Sequence, residues 1–388
     1  MDKYSNGIDE RQSQGGTDMR VRASVAHAVG GTWTTEELDL DEPHEGEVRI
    51  KVMASGLCHS DDHILTGDSE VELPFVGGHE GAGIIDAVGP GVTRVKPGDH
   101  VATAYLPTCG VCPWCARGMQ FICDNGAGME RGRMMDGSAR FHFLDGRDCG
   151  AMQRLGTFSN YLVTPQEQCV RIEEDVPFEV ACLVACGVTT GWGAAVNVGG
   201  VRPRDVVIVM GCGGIGMNAV QGAAHAGAMH VVAVDPVAFK RDSALKLGAT
   251  IAFASIDEAM PFVHSVTNGQ GADVTVVAVG RVDGEMIGQA FSSVRKMGTC
   301  AVISIGSHDP GLEINPLELV VYAKSLKGVL FGNSNPTYDI PRLLSYYKSG
   351  DLKLEELITR RYSVDEVSNA YSDMYAGINL RGVLLHEH

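Results

Sequence analysis

Two short stretches near the start of the chain carry most of its chemistry: Cys58-His59-Ser60-Asp61-Asp62-His63 and Gly77-Gly78-His79-Glu80-Gly81. A thiolate and an imidazole from separated segments, completed by a third ligand from further along, leave a tetrahedral zinc one open position for a substrate oxygen. That is the pattern of a catalytic metal. A lone cysteine is more often a small buried residue, and a lone histidine a hydrogen-bonded part of a core. Here both stand in a chain with a second metal pattern and a nucleotide pattern, and the joint context favours ligation.

The second metal pattern is Cys109-Gly-Val-Cys112-Pro-Trp-Cys115, followed by Cys123. Two C-x-x-C steps sharing their middle cysteine, then a fourth cysteine, bring together thiolates for a closed tetrahedral site with no vacancy. A closed all-thiolate zinc site holds structure, here the 105–125 loop. An iron–sulfur cluster would use the same residue types, and spacing alone leaves it open.

The nucleotide pattern is Gly211-Cys-Gly213-Gly214-Ile215-Gly216. It follows the apolar run Asp205 to Met210 and precedes a helix-compatible stretch, Met217 to Ala228. A second apolar run, His230 to Val234, leads to Asp235, nineteen residues after Gly216. Strand, glycine turn, helix, strand and acid in this order form the dinucleotide fingerprint. The glycines let backbone approach a pyrophosphate at a helix N-terminus. Asp235 would accept hydrogen bonds from the adenosine ribose and repel a 2′-phosphate, which favours NAD over NADP.

The chain around these motifs has 388 residues, enough for two domains and a large core. A net charge of −17, from 48 acidic and 31 basic residues, argues against nucleic acid or an anionic membrane surface as the main partner. No run of 18 apolar residues occurs and the N-terminus lacks a signal-peptide core. A soluble, cytoplasmic protein is expected. Its eleven cysteines suit metal ligation in a reducing compartment. Cys149, Cys169, Cys182, Cys212 and Cys300 are left as reduced, mostly buried thiols.

The elements that must position the motifs are legible in outline. Residues 1–18 read as a disordered tail. From Arg20, alternation at Val21, Ala23, Val25 and at Val48, Ile50, Val52, with frequent Gly and Pro, predicts a mainly β, barrel-like unit with the zinc residues on its loops. Residues 124–156 read as a long Gly- and Arg-rich loop or lobe. Apolar runs at Val274 to Val279 and Cys300 to Ile305 extend a doubly wound half. The last strand, around Gly382 to Leu385, is expected to return to the first domain.

Together these residues resemble the zinc-dependent medium-chain alcohol dehydrogenases. The likeness spans about residues 20 to 388 and includes Cys186-Gly-Val-Thr-Thr190-Gly and Lys327-Gly-Val-Leu-Phe-Gly332. Within the family the chain is most similar to the actinobacterial nicotinoprotein branch, whose members keep NAD bound and pass electrons to an external acceptor such as a nitrosoaniline dye. The resemblance implies an α/β chain. A Rossmann doubly wound parallel sheet at 188–332 would bind NAD, beside a mainly β, GroES-like catalytic domain at 19–187 and 333–388.

By the same resemblance Cys58, His79 and Cys186 hold a catalytic zinc, the four clustered cysteines a structural zinc, and the proton of the alcohol leaves through Ser60 to His63. Glu80 is implied as a transient ligand or a support, and Asp61 as the group orienting His79. Thr190, Lys240 and Arg381 are assigned with the glycine turn and Asp235 to the cofactor, and Tyr105 to the substrate pocket. His59 replaces an arginine that the family often uses against the pyrophosphate, so a partly charged group stands there. The implied partners are a small alcohol or aldehyde and, if NAD stays bound, an external redox acceptor. The family suggests a homodimer or homotetramer. Two other readings are a formaldehyde dehydrogenase acting on a thiol adduct and a non-catalytic NAD-binding relative.

Overall fold

The computed structural model describes residues 19–68, 71–304 and 311–388, so the tail expected at 1–18 and Ile305 lie outside the described residues. Met19–Ala26 pairs antiparallel with Thr34–Leu40. Phe141–Phe143, Asp148–Ala151 and Phe75–Val76 close a five-stranded barrel with them. The alternation of Val21, Ala23 and Val25 with Arg20 and Arg22 points the apolar set inward, where Leu38, Leu40 and Phe141 meet it. The 124–156 stretch is therefore not simply a loop: it supplies two barrel strands joined by a turn at Gly146 (φ 84°). Three and four residues are too few for alternation to register in sequence.

A second sheet is built on Glu47–Gly56, the longest strand of this half. On one side it pairs with Glu80–Val88. On the other, its first half takes Tyr161–Pro165 and its second half takes Arg381–Leu385. The closing strand thus lies beside the residues that lead into Cys58. As expected, Cys58, His79 and Cys186 lie in connecting segments: Cys58 directly before the helix His59–Thr66, His79 directly before Glu80–Val88 and Cys186 directly before the helix Gly187–Gly193.

The third sheet has six parallel strands in the order Ile251–Phe253, His230–Val234, Val206–Met210, Ala272–Val277, Val294–Val302, Ser325–Gly328. With helices on its faces, the central Val206–Met210 is buried throughout, which is why it reads as a continuous apolar run. Each such Val or Ile contributes about 1.5–3 kcal/mol relative to exposure. The helix after the glycine turn is Gly216–His225, which ends three residues before the apolar pattern suggested.

The two halves share one apolar cluster, running from Ala54 and Ala82 through Val184 and Val188 to Val207 and Val209. Gly187–Gly193 packs so closely on the turn before Gly216–His225 that a Cβ at Gly191 would lie 2.0 Å from the Ile215 carbonyl oxygen. Small residues at this junction let the backbone beside Cys186 meet the glycine turn.

Candidate active site and metal centres

The helix His59–Thr66 is specified by Asp61 and Asp62 in its first turn and by Gly67 in the left-handed conformation at its end (φ 77°). Cys58 stands outside it in extended conformation. His79 immediately precedes Glu80–Val88. It follows Gly78 (φ 87°), where a Cβ would lie 2.4 Å from the Phe158 ring. Only glycine fits there, and it lets the turn bring His79 against Cys58.

Cys58 Sγ, a ring nitrogen of His79, a carboxylate oxygen of Glu80 and Cys186 Sγ lie within 4.8 Å of one another, all buried. The sequence separates Cys58 and Cys186 by 128 positions, and the fold brings them together. Hydrogen bonding from the Cys186 thiol draws Cys58 well below the ordinary thiol range, and the same contact pushes Cys186 well above it. Two sulfurs competing over one proton beside an imidazole form a donor set that fits a soft divalent cation such as zinc.

Asp61 sets the histidine. Its Oδ1 lies 2.7 Å from His79 Nδ1 and accepts the Gly78 N–H at 3.1 Å. Burial opposes a charge on His79, but Asp61 outweighs it and raises the imidazole well above its ordinary range. With Nδ1 committed to Asp61, Nε2 is the nitrogen left for a metal.

Glu80 is fully buried, and burial pushes its pKa up to about 7 against the pull of the Arg381 guanidinium. Its Oε1 accepts the Gly187 N–H at 3.2 Å, and Arg381 donates to Oε2. Both oxygens are engaged, which leaves Cys58, His79 and Cys186 as the freer ligands and one position open.

This cluster opens into a cavity of ≈ 810 Å³ that also reaches the glycine turn and Asp235. Ser60, Oγ 3.6 Å from Cys58 Sγ, and His63 both line it from one helix. Tyr105 stands edge-on to His79 (centroids 5.6 Å) and to Phe331 (4.7 Å), and burial pushes its hydroxyl well above the ordinary range. Gly211, Gly213, Gly214 and Ile215 face the cavity, whereas Gly216 sits behind them, where a Cβ would lie 1.8 Å from the Gly211 oxygen. Asp235 receives the Cys212 and Val237 N–H groups at 2.8 and 2.9 Å.

His59, Thr190 and Lys240 line the same cavity, and Thr190 Oγ1 lies 3.9 Å from Cys186 Sγ. Arg381 is placed between the two ends: it lines the cavity beside Gly214 while its charge is taken by Glu80. Every residue singled out for the catalytic zinc, the proton route and the cofactor thus borders this cavity or braces a residue that does.

Four further cysteines form a separate cluster, Cys109, Cys112, Cys115 and Cys123, with sulfurs within 4.8 Å of one another. The Cys109–Cys115 and Cys112–Cys123 sulfurs are each 3.9 Å apart. Zn–S bonds of about 2.3 Å give a tetrahedral edge of roughly 3.8 Å, so the cage fits zinc. N–H groups of Val111 and Cys112 point at Cys109 Sγ (3.4 and 3.3 Å) and that of Cys115 at Cys112 Sγ (3.4 Å). The Asp124 and Cys115 N–H groups bring Cys112 down to about 6. Cys149, Cys169, Cys182, Cys212 and Cys300 are free and buried.

Known proteins fall in line with this geometry. Residues 44–174 match the alcohol dehydrogenase GroES-like domain and residues 214–349 the zinc-binding dehydrogenase domain. An NDMA-dependent alcohol dehydrogenase of Amycolatopsis methanolica is 50% identical over 95% of this chain and 99% of its own. The chain belongs to the zinc-dependent medium-chain alcohol dehydrogenases. Alcohol dehydrogenase B of Mycobacterium bovis is 44% identical over 94% of this chain and 98% of its own. The crystal structure of benzyl alcohol dehydrogenase from Acinetobacter calcoaceticus superposes with a TM-score of 0.88 at 28% identity, covering 95% of this chain and 100% of that one.

Several side chains of this dehydrogenase escaped the sequence reading. The Tyr371 hydroxyl donates to the Cys58 carbonyl at 3.1 Å and lies 3.4 Å from Asp61 Oδ2, tying the C-terminal helix Val367–Tyr375 to the ligand turn. Trp33 and Tyr375 donate to Asp62 at 3.2 and 2.6 Å. Met152 and Gln153 form part of the cavity wall.

Proposed function

We propose that this dehydrogenase oxidises primary and secondary alcohols reversibly to aldehydes and ketones, using NAD as hydride acceptor. The observation that carries the reading is that the Cys58, His79 and Cys186 donors and the glycine turn open into one cavity. Zinc held by those donors would supply the charge that makes an alcohol hydroxyl acidic near neutral pH, and NAD the site that accepts hydride. Asp61 keeps the proton on Nδ1 of His79 and so aims the other nitrogen at the thiolates. Ser60 receives the alcohol's proton, and His63, one helical turn on, releases it toward solvent. Tyr105 and Phe331 exclude water from the inner end. Asp235 recognises the adenosine ribose, with Lys240, His59, Thr190 and Arg381 along the rest of the cofactor.

Replacing Cys58 with Ser tests the assignment: the folded variant should lose one zinc and alcohol oxidation. Full activity without that zinc would overturn it.

A second reading keeps the chemistry but retains NAD, with an external acceptor reoxidising it, and is supported by the likeness to the NDMA-dependent relative. It predicts cofactor absorbance after desalting and turnover with a dye acceptor but none with added NAD alone. For assembly, a second copy of the chain would cover Leu317, Val320 and Val321, exposed at 58, 74 and 63%, beside the edge strand Ser325–Gly328. Light scattering of Val320→Glu should show a smaller species than the unmodified protein, and equal masses would dispose of that interface. The free thiols of the described cysteines suit a reducing cytoplasm.

A further inference from the structure

We propose that Asp68 is a positioning residue for the proton-carrying His63, and that Arg281 anchors it from the nucleotide-binding half. This rests on the reading of His63 as the exit of the proton route. Asp68 follows the helix His59–Thr66, yet its side chain is only 14% exposed. Its Oδ2 lies 3.2 Å from His63 Nδ1 and accepts the Thr66 hydroxyl at 2.8 Å. Its Oδ1 accepts Arg281 at 3.2 Å, from the segment after Ala272–Val277. One carboxylate therefore spans the two halves with a different oxygen toward each.

The consequence is a fixed tautomer. With Nδ1–H given to Asp68, Nε2 of His63 is the atom that takes a proton. The Thr66 hydroxyl, then His63 and Arg281, hold the Asp68 carboxyl below the usual range, so it carries its charge near neutrality. Arg281 is 66% exposed, and an exposed pair adds little to stability. Its effect lies in where it holds Asp68. The same segment approaches the helix a second time at Gly280, where a Cβ would lie 3.2 Å from His59 Nε2. The proton exit is thus built from residues of both halves.

Among the described residues, the charged and titratable groups around His63 are His59 and Asp62 on its own helix, Asp68 after it, Arg281 from the nucleotide half, Tyr375 on the C-terminal helix and Lys240 across the cavity. A carboxylate beside an imidazole favours its charged form, and a guanidinium opposes this. Since the neutral imidazole accepts the proton, the acid limb of kcat/KM reports that balance.

The test measures kcat/KM for a primary alcohol against pH with the full-length holoenzyme. Asp68→Asn should move the acid limb to lower pH and reduce kcat about tenfold, with Asp68→Glu restoring the limb. Arg281→Gln, which leaves Asp68 unanchored, should move it the same way by a smaller amount. A structural role would scale the rate without moving the limb, and profiles of Asp68→Asn and Arg281→Gln that superpose on the unmodified one would overturn the proposal. His63→Gln separates the two levels. If the limb survives His63→Gln, the proton route itself is misassigned. If it vanishes there while the other two variants are unshifted, the role of Asp68 alone fails.

Discussion

Asp61 Oδ1 stands 2.7 Å from Nδ1 of His79, and the same oxygen receives the N–H of Gly78. One fully buried carboxylate thereby fixes both the ring of a proposed metal ligand and the turn that delivers it. Such supports are worth 10–100-fold in metal affinity, so Asp61→Ala should weaken zinc at this site by about that factor, read by competition with a chelator. The four-cysteine site should keep its metal, and an unchanged affinity at both sites would refute the role of Asp61.

The glycine turn separates folding from cofactor binding. A Cβ at Gly216 would lie 1.8 Å from the Gly211 oxygen, whereas at Gly213 nothing among the described residues lies within 4 Å. Gly216→Ala should lower both the melting temperature and NAD retention. Gly213→Ala should melt like the unmodified protein but bind NAD more weakly, because its methyl enters the space that faces the cavity. Equal NAD affinity in Gly213→Ala would count against the turn as the phosphate cradle.

Arg140 is buried in the barrel half and gives a two-pronged pair to Glu47, at 2.8 and 2.7 Å. Removing one partner of such a pair strands the other charge, at about 3–5 kcal/mol. Asp136 remains 3.2 Å from Arg140, with its side chain 55% exposed, so Glu47→Ala should cost near the lower end, about 3 kcal/mol in denaturant unfolding. A loss under about 1 kcal/mol would show that Asp136 and water replace Glu47.

His142 lies between Asp41 and Asp148, at 3.2 and 3.0 Å, and the hydrogen bond to Asp41 is the main cause of its raised pKa. A group raised on folding stabilises fully below its unfolded value, about 6.5, and loses that contribution as pH rises through the folded value. The stability advantage over His142→Gln should therefore be largest below about pH 6 and shrink on going to pH 8. Melting temperatures across that range check this, and a difference that grows with pH would reverse the sign.

The sequence by itself determined the parts whose signals are local. C-x-x-C spacing, the strand-turn-helix around Gly211 to Gly216 and the continuous apolar run Val206–Met210 each report a constraint set within a few residues. Resemblance then supplied the family and the grouping of distant ligands. Less was legible where strands were short: Phe141–Phe143 and Asp148–Ala151 carry too little alternation to be told from loop, and only barrel closure gives them partners.

Tertiary structure decided everything that depends on separations of tens to hundreds of residues. It alone put Tyr371 against the Cys58 carbonyl, Arg381 against Glu80, and Asp68 between His63 and Arg281. A side chain's residue type fixes what it can bond. Which group it finds is set by how two sheets and their shared core dispose the backbone, and no periodicity along the chain encodes that meeting.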